Sequence, residues 1–173
     1  SNDFIKSCTN LRKLSVGFIE NIDDKVINKM TNLVHLGIQG NSGITLIGSM
    51  CYNLVSNLRS LNISQNYGVG DEELKQFTLL TKLVISHNYM ITDVSIKKLR
   101  QLRYLDASTG LDATAITDLS IKKLTNLTYL DMKSGLKNSI TDNSLQALTN
   151  LHFLSLSYNE SISAAIGTLC PDS

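Results

Sequence analysis

The stretch Leu127-Thr-Tyr-Leu130-Asp-Met132 decides the fold of this chain, because the unit that it opens recurs along the sequence. Its apolar residues alternate with polar ones, which is typical of a short strand with one buried face. The next unit begins with the same pattern at Leu151. Successive units are 22 to 25 residues long and open at Leu11, Leu33, Leu58, Leu80, Leu102, Leu127 and Leu151. The chain therefore consists of one supersecondary unit repeated seven times.

The second half of each unit has a different apolar period. In Ile91-Thr-Asp-Val94-Ser-Ile96-Lys-Lys-Leu99, Val94 and Ile96 fall three and five residues after Ile91, and Leu99 falls three after Ile96. The Thr and Asp that follow Ile91 are good helix N-caps. Ile116-Thr-Asp-Leu-Ser-Ile121 repeats this arrangement. The pattern predicts helices or helical turns at about 95–102, 119–126 and 143–149.

A strand and a helix in each unit determine how the units assemble. One unit cannot bury its apolar face alone, whereas stacked units share a continuous core. Strands are spaced by about 4.8 Å and packed helices by about 8–10 Å, so the stack curves with its strands on the concave face. We expect an α/β fold with seven parallel strands, each beginning near the third residue of its unit.

Both ends of the chain continue the repeat pattern. Residues 4–8 align with the helical half of a preceding unit, and residues 162–169 align with the helical half of the seventh. We therefore expect a single domain over residues 1–173. Since no polar capping segment is evident, either the ends cap weakly or the natural protein continues as a longer chain.

The segment Leu58-x-x-Leu61-x-Ile63-x-x-Asn66 resembles the signature of the leucine-rich repeat family, as do 33–41, 80–88 and 151–159. The Ile-Thr-Asp segments with a following Ser-Ile or Ser-Leu resemble the subclass with a helical convex side, found in some F-box proteins. This chain has Asn or Gly where that subclass often has Cys. The resemblance implies a right-handed leucine-rich-repeat solenoid and says little about function.

Four asparagines follow the strands at the same repeat position: Asn41, Asn66, Asn88 and Asn159. An inward-facing amide offers a donor and an acceptor to backbone groups that have left the sheet, so we expect a hydrogen-bonded row. Ile19, Gly110 and Gly135 hold this position in units one, five and six and interrupt the row. Because glycine tolerates φ > 0, we expect turns of another shape at the two glycines.

Composition narrows the classes of partner. Sixteen Lys and Arg residues against fifteen Asp and Glu give a net charge of +1, which disfavours a nucleic-acid partner. No apolar run reaches the length of about 18 residues that spans a bilayer. Cys8, Cys51 and Cys170 are scattered over the chain, so we expect three unpaired thiols and favour an intracellular setting. Cys8 and Cys170 replace aliphatic residues and are interpreted as small buried hydrophobes.

The sequence contains little that points to catalysis. The three histidines stand at different repeat positions, and there is no phosphate loop, Cys–His pair or metal-ligand spacing. Asp106 and Asp131 hold the same strand position in neighbouring units, where their carboxylates approach to about 5 Å and either hold a cation or raise one pKa. The alternative is a pair of solvated aspartates near Lys133. We expect a protein that is not an enzyme and that uses no cofactor.

The residues that face outward from the strands suggest a binding surface. The third residues of the units are Lys13, His35, Ser60, Lys82, Tyr104, Tyr129 and Phe153. The last three predict an aromatic row flanked by Asp106, Asp131 and Lys133, with Tyr158 near its edge. Exposed aromatics beside charges are typical of binding hot spots, although stacked rings can also stabilise neighbouring strands.

Two hypotheses about function follow from this surface. The first is a non-catalytic domain that binds another protein on its concave sheet through the aromatic row, with Lys82, His35 and Lys13 at the basic end. The alternative is the substrate-recognition or adaptor part of a larger protein, whose F-box-like or enzymatic effector lies outside this chain. The oligomeric state is left open.

Overall fold

Seven parallel strands form one sheet in the structure, a computed structural model that describes residues 7–19, 22–45, 52–110, 115–134, 140–156 and 162. The strands are β1 (Lys13–Ser15), β2 (His35–Gly37), β3 (Ser60–Asn62), β4 (Lys82–Val84), β5 (Tyr104–Asp106), β6 (Tyr129–Asp131) and β7 (Phe153–Ser155). Their order in the sheet is their order in the chain. Each begins at the third residue of its unit, which confirms the predicted strand positions.

The sheet keeps identical repeat positions in register. Lys82 pairs with Tyr104, and Tyr104 pairs with Tyr129, so each outward residue lies beside its equivalent in the next unit. The central leucine of each strand points inward; Leu61, Leu83, Leu105 and Leu130 are fully buried. The repeated leucines therefore build one core along the length of the stack.

Within the described residues, six short helices lie opposite the sheet: α1 (Asp24–Ile27), α2 (Tyr52–Asn57), α3 (Asp71–Leu74), α4 (Asp93–Ile96), α5 (Asp118–Ile121) and α6 (Asp142–Leu145). In α4, α5 and α6 a threonine is the N-cap, as the sequence predicts, and its hydroxyl accepts a hydrogen bond from the backbone of the helix. Asp23 has the same role in α1. The caps start the helices at fixed points of the repeat.

The predicted helix boundaries were wrong in units four to six. The helical turns begin one or two residues earlier than expected and stop after one turn, at Ile96, Ile121 and Leu145. After Ile96 the chain continues with hydrogen bonds between residues three apart, such as that from Leu99 N to Ile96 O. Ile96, Leu99 and Leu102 are all fully buried. Apolar residues spaced by three stay on one face of a three-residue turn but drift around an α-helix, so the tighter turn prevails.

Aspartates at the start of the helices connect one unit to the next. The carboxylate of Asp93 accepts hydrogen bonds from Thr117 N at 2.9 Å and Thr117 Oγ1 at 2.6 Å. Asp118 accepts equivalent bonds from Thr141 at 2.9 and 2.5 Å. The same link joins Asp24 to Thr45 and Asp71 to Thr92. In Thr92-Asp93 and Thr117-Asp118, the threonine caps its own helix and the aspartate fastens that helix to the next unit.

The predicted asparagine row is confirmed for Asn41, Asn66 and Asn88, and Asn159 lies outside the described residues. Asn66 Nδ2 donates to Asn41 O at 2.6 Å, and Asn88 Nδ2 donates to Asn66 O at 2.6 Å. Asn41 Nδ2 donates to Ile19 O at 2.7 Å, where the row begins. All three amides are buried, so they satisfy backbone groups that water does not reach.

The turn changes shape in unit five, as expected, but not through a left-handed glycine. In units one to four, the residue just before the asparagine position of the repeat has a positive φ. These residues are Phe18, Gly40, Gln65 and His87. Gly110 is outside the left-handed region. In unit five, Thr109 is the buried polar residue in place of an asparagine, and its hydroxyl donates a hydrogen bond to Ser134 Oγ at 3.2 Å. A pair of hydroxyls therefore replaces the amide row here. Gly135 lies outside the described residues.

Cys8 is half-buried rather than fully buried as predicted. Cys51 and Cys170 lie outside the described residues, so the redox state of the three thiols stays a prediction. In the described ranges, no helix has the length and apolar character needed to cross a bilayer.

Candidate functional site

The concave face carries a continuous stack of three rings, which we call the aromatic ladder: Tyr104, Tyr129 and Phe153. The ring centroids of Tyr104 and Tyr129 are 4.0 Å apart with an angle of 8° between the planes, and those of Tyr129 and Phe153 are 4.2 Å apart at 4°. The rings stack because β5, β6 and β7 pair in register. Tyr104 and Tyr129 are half-buried, and Phe153 is 43% exposed. The ladder therefore presents a rigid aromatic edge to solvent.

Lys82, the first residue of β4, lies next to the aromatic ladder and extends it by one strand. Its ammonium lies 4.1 Å from the centroid of the Tyr104 ring, which is a cation–π contact. Burial raises the pKa of the Tyr104 hydroxyl, and the Tyr129 hydroxyl beside it and the charges of Asp106 and Asp131 raise it further. Tyr104 consequently remains a hydrogen-bond donor through the neutral and alkaline range.

Asp106 and Asp131 lie side by side beneath the ladder, as the sequence predicts. Asp106 Oδ1 accepts hydrogen bonds from Ser86 Oγ at 2.9 Å, Ser108 Oγ at 2.7 Å and Ser108 N at 3.1 Å. Asp131 Oδ1 accepts one from Lys133 N at 3.0 Å. Lys133 therefore contacts Asp131 through its main chain; among the described residues its ammonium makes no salt bridge with that carboxylate. Both aspartates are held through their Oδ1 atoms, and both residues are half-buried.

The opposite half of the concave face is basic. Lys13 and His35 are adjacent in register, Lys82 follows two strands further on, and all three are exposed. Together with Gly37, Gln39 and Asn62 they line a groove of about 440 Å³, which we call the basic groove. The sequence indicated the basic residues but not the groove, which exists because Gly37 has no side chain at a position that holds Asn62 and Val84 in later units.

The structure also brings together a pair of rings that the sequence reasoning missed. Tyr67 and Tyr89 stack with centroids 5.8 Å apart, and they are 49% and 44% exposed. Both are the tenth residue of their units, so the same count of repeat positions that found the aromatic ladder would have found them. They follow the strands and do not belong to the concave face.

Tyr158, predicted at the edge of the ladder, lies outside the described residues. Within the described part of the chain, no three His, Cys, Asp or Glu side chains are grouped closely enough to hold a metal ion. The paired aspartates therefore offer two half-buried carboxylates to a cationic group rather than a ready-made set of metal ligands.

No protein-family model and no curated protein matches this chain. Solved structures do match. An internalin (inlF) from Listeria monocytogenes has a TM-score of 0.72 and 25% identity, over 98% of this chain and 48% of that one. A leucine-rich-repeat protein from Leptospira interrogans has a TM-score of 0.70 and 21% identity, over 96% and 43%. An internalin C2 from Listeria monocytogenes has a TM-score of 0.62 and 23% identity, over 91% and 76%.

This chain spans less than half the length of the first two of these proteins. The likeness nevertheless extends over nearly all of this chain and includes its seven strands in one parallel sheet. The fold is therefore that of a leucine-rich-repeat solenoid.

Proposed function

We propose that this domain is a non-catalytic protein-interaction module that binds its partner on the concave face, with the aromatic ladder as the main contact. The observation that carries the proposal is the stack of Tyr104, Tyr129 and Phe153 beside two carboxylates. Rigid aromatic side chains lose little conformational entropy when they bind, and they are enriched among the residues that dominate binding energy. The similarity to solved leucine-rich-repeat proteins supports a binding role for the fold.

The charges around the ladder favour a partner that carries Lys or Arg. The Oδ1 atoms of Asp106 and Asp131 accept hydrogen bonds within the domain, so the two carboxylates are held beside each other before a cationic group binds. Fixed charges of this kind orient a partner and select against the wrong ones. The aromatic edge would supply affinity and the carboxylates would supply specificity.

The alternative is a recognition or adaptor role within a larger protein. The three Ile-Thr-Asp segments at 91–93, 116–118 and 140–142 resemble F-box-type repeats, which supports this reading. Both readings place the partner on the same surface. The full-length sequence separates them, since an effector domain would be visible there.

The test begins with the partner. Proteins captured from the native source on the immobilised domain are identified by mass spectrometry, purified, and titrated calorimetrically against the parent and against Tyr104→Ala/Tyr129→Ala. We expect this double variant to stay folded and to lose at least about 2 kcal/mol of binding free energy per ring. The matched control is Tyr67→Ala/Tyr89→Ala, which removes the other stacked pair and should leave the affinity unchanged.

Two results would contradict the proposal. In one, Tyr104→Ala/Tyr129→Ala binds the purified partner as tightly as the parent does. In the other, the double variant has only a lower melting temperature, as expected if the rings merely stabilise adjacent strands. Near-ultraviolet circular dichroism of each variant shows whether the remaining structure is intact.

A further inference from the structure

The described residues that line the basic groove include several hydrogen-bond donors and no acidic residue. Lys13, His35 and Lys82 face it, and among the described residues none of them has a carboxylate within salt-bridge distance. Asn62 uses its Oδ1 atom to accept hydrogen bonds from Ser64 N at 3.0 Å and Ser64 Oγ at 2.8 Å. Within the described residues, this leaves its Nδ2 group as a further donor. A groove of this composition attracts a carboxylate.

The floor of the groove adds an acceptor. Gln39 lies across Gly17 and reaches Gly37, where its Oε1 atom is 3.1 Å from the place that a Cβ atom would occupy. Among the described residues, this Oε1 is a buried acceptor that receives no hydrogen bond. A buried carbonyl oxygen without a donor is unfavourable, so the Gln39 side chain would gain free energy if it turned to meet an N–H group of an occupant. A peptide supplies both the N–H group and the carboxylate, whereas a simple anion supplies only negative charge.

The dimensions agree with a short extended segment. The row from Lys13 to Lys82 spans three strand spacings, about 14 Å. An extended chain advances about 3.4 Å per residue, so about four residues cover the row. Lys82 is also in contact with Tyr104, which makes the groove continuous with the aromatic ladder.

We propose that the basic groove binds an acidic, extended segment of the protein partner, with its carboxylates over Lys13, His35 and Lys82. This inference rests on the proposed function, and it predicts the order of charged residues along the partner. Its acidic residues face units one to four, and its cationic residues face Asp106 and Asp131 in units five and six. A partner with the reverse order of charges is repelled at both ends.

The probe is tetraglutamate with an acetylated N-terminus and an amidated C-terminus, titrated into ¹⁵N-labelled protein. We expect the largest amide shifts at Gly37, Asn62 and Val84, which line the groove. Tetralysine should instead shift Asp106 and Asp131. Inorganic phosphate at equal total charge tests the simple-anion alternative and should produce smaller shifts, since one phosphate cannot span the three strand spacings from Lys13 to Lys82.

Variants determine whether the groove is responsible. Lys13→Gln/Lys82→Gln should weaken tetraglutamate binding about fivefold, the effect of losing exposed charge pairs. Lys98→Gln/Lys122→Gln removes the same charge from exposed lysines that follow α4 and α5, and should have no such effect. Gly37→Val fills the floor with the side chain found at the equivalent position of β4 and should also weaken binding, without any change of charge.

Three results would overturn the inference: shifts spread over all exposed lysines, equal binding by Lys13→Gln/Lys82→Gln and the parent, or equal shifts from phosphate. These outcomes are separable from the proposed function. If tetraglutamate does not bind the groove while binding of the partner still requires Tyr104 and Tyr129, the proposal for the groove is rejected and that for the aromatic ladder is retained. If tetraglutamate binds while the affinity of the partner does not change when those tyrosines are replaced, the proposal for the aromatic ladder is rejected instead.

Discussion

The side chain of Asn66 makes five hydrogen bonds from a fully buried position. Its Nδ2 atom donates to the carbonyl oxygens of Ile38, Asn41 and Ile44, and its Oδ1 atom accepts from the backbone N–H groups of Gly68 and Val69. No other uncharged side chain of this size offers both a donor and an acceptor in one plane. The residue therefore closes the turn of its own unit and bonds it to the unit before.

We predict that Asn66→Ala lowers the free energy of unfolding by about 3 kcal/mol, because buried donors and carbonyls lose their partner and water does not replace it. Urea unfolding followed by circular dichroism measures the change. Asn143→Ala removes an exposed amide and should change the free energy by less than about 0.5 kcal/mol. A loss below about 1 kcal/mol in Asn66→Ala would mean that the turn relaxes or admits water.

At the scale of the elements, the Thr-Asp links hold together helices that are too short to be stable alone. A single helical turn fixes several backbone angles for one hydrogen bond, so α4, α5 and α6 depend on their neighbours. Thr141 caps α6 and at the same time donates to the carboxylate of Asp118. Burial by itself would raise the pKa of Asp118, but the bonds from Thr141 and Ser144 and the charge of Lys122 lower it overall.

We predict that the link to Asp118 weakens in acid. Because the pKa of Asp118 is lower in the folded state, the ionised form contributes stability above its unfolded pKa of about 3.9, and this is lost as pH falls through the folded pKa. Asp118→Asn should be less stable than the parent at pH 7, and the two should converge below about pH 4. Urea unfolding at a series of pH values measures the difference.

Glu72→Gln is the control for this series, since the carboxylate of Glu72 forms an exposed ion pair with Lys75 at 2.6 Å. Its stability should differ little from that of the parent at pH 7. A constant gap between Asp118→Asn and the parent from pH 7 to pH 3 would show that the ionised carboxylate is not what stabilises the link.

At the scale of the whole molecule, each unit contacts only its neighbours, so burial depends on position in the stack. Leu83 and Leu105 are fully buried between strands on both sides, whereas Leu14 in β1 and Leu154 in β7 are half-buried. In such a one-dimensional architecture, stability is approximately the sum of unit and interface contributions. Equivalent leucines are consequently not equivalent in energy.

We predict that Leu83→Ala lowers the free energy of unfolding by about 3–4 kcal/mol and Leu14→Ala by about 1–2 kcal/mol, since the first leaves a cavity and the second a partly solvated gap. The pair is its own control, because the substitution and the repeat position are the same. Equal losses in urea unfolding would indicate that β1 is packed as tightly as the central strands.

The sequence alone determined the architecture and the location of the aromatic ladder. A repeat of 22 to 25 residues with a strand signal at its start admits only a stack of parallel strands, and parallel strands in register bring equal repeat positions together. Tyr104, Tyr129 and Phe153, and likewise Asp106 and Asp131, are neighbours for that reason. The asparagine row was predictable because the backbone leaves the sheet at those residues in every unit.

Only the tertiary structure decided the features that depend on contacts between different repeat positions. The helices shorten to one turn because the core requires Ile96, Leu99 and Leu102 on one face, which outweighs the helical preference of the segment. Gln39 lies across Gly17 and reaches the floor of the basic groove at Gly37, and Lys82 reaches the ring of Tyr104 on the neighbouring strand. A repeat pattern predicts which residues are equivalent. It does not predict the direction in which a side chain extends, and the floor of the groove depends on that direction.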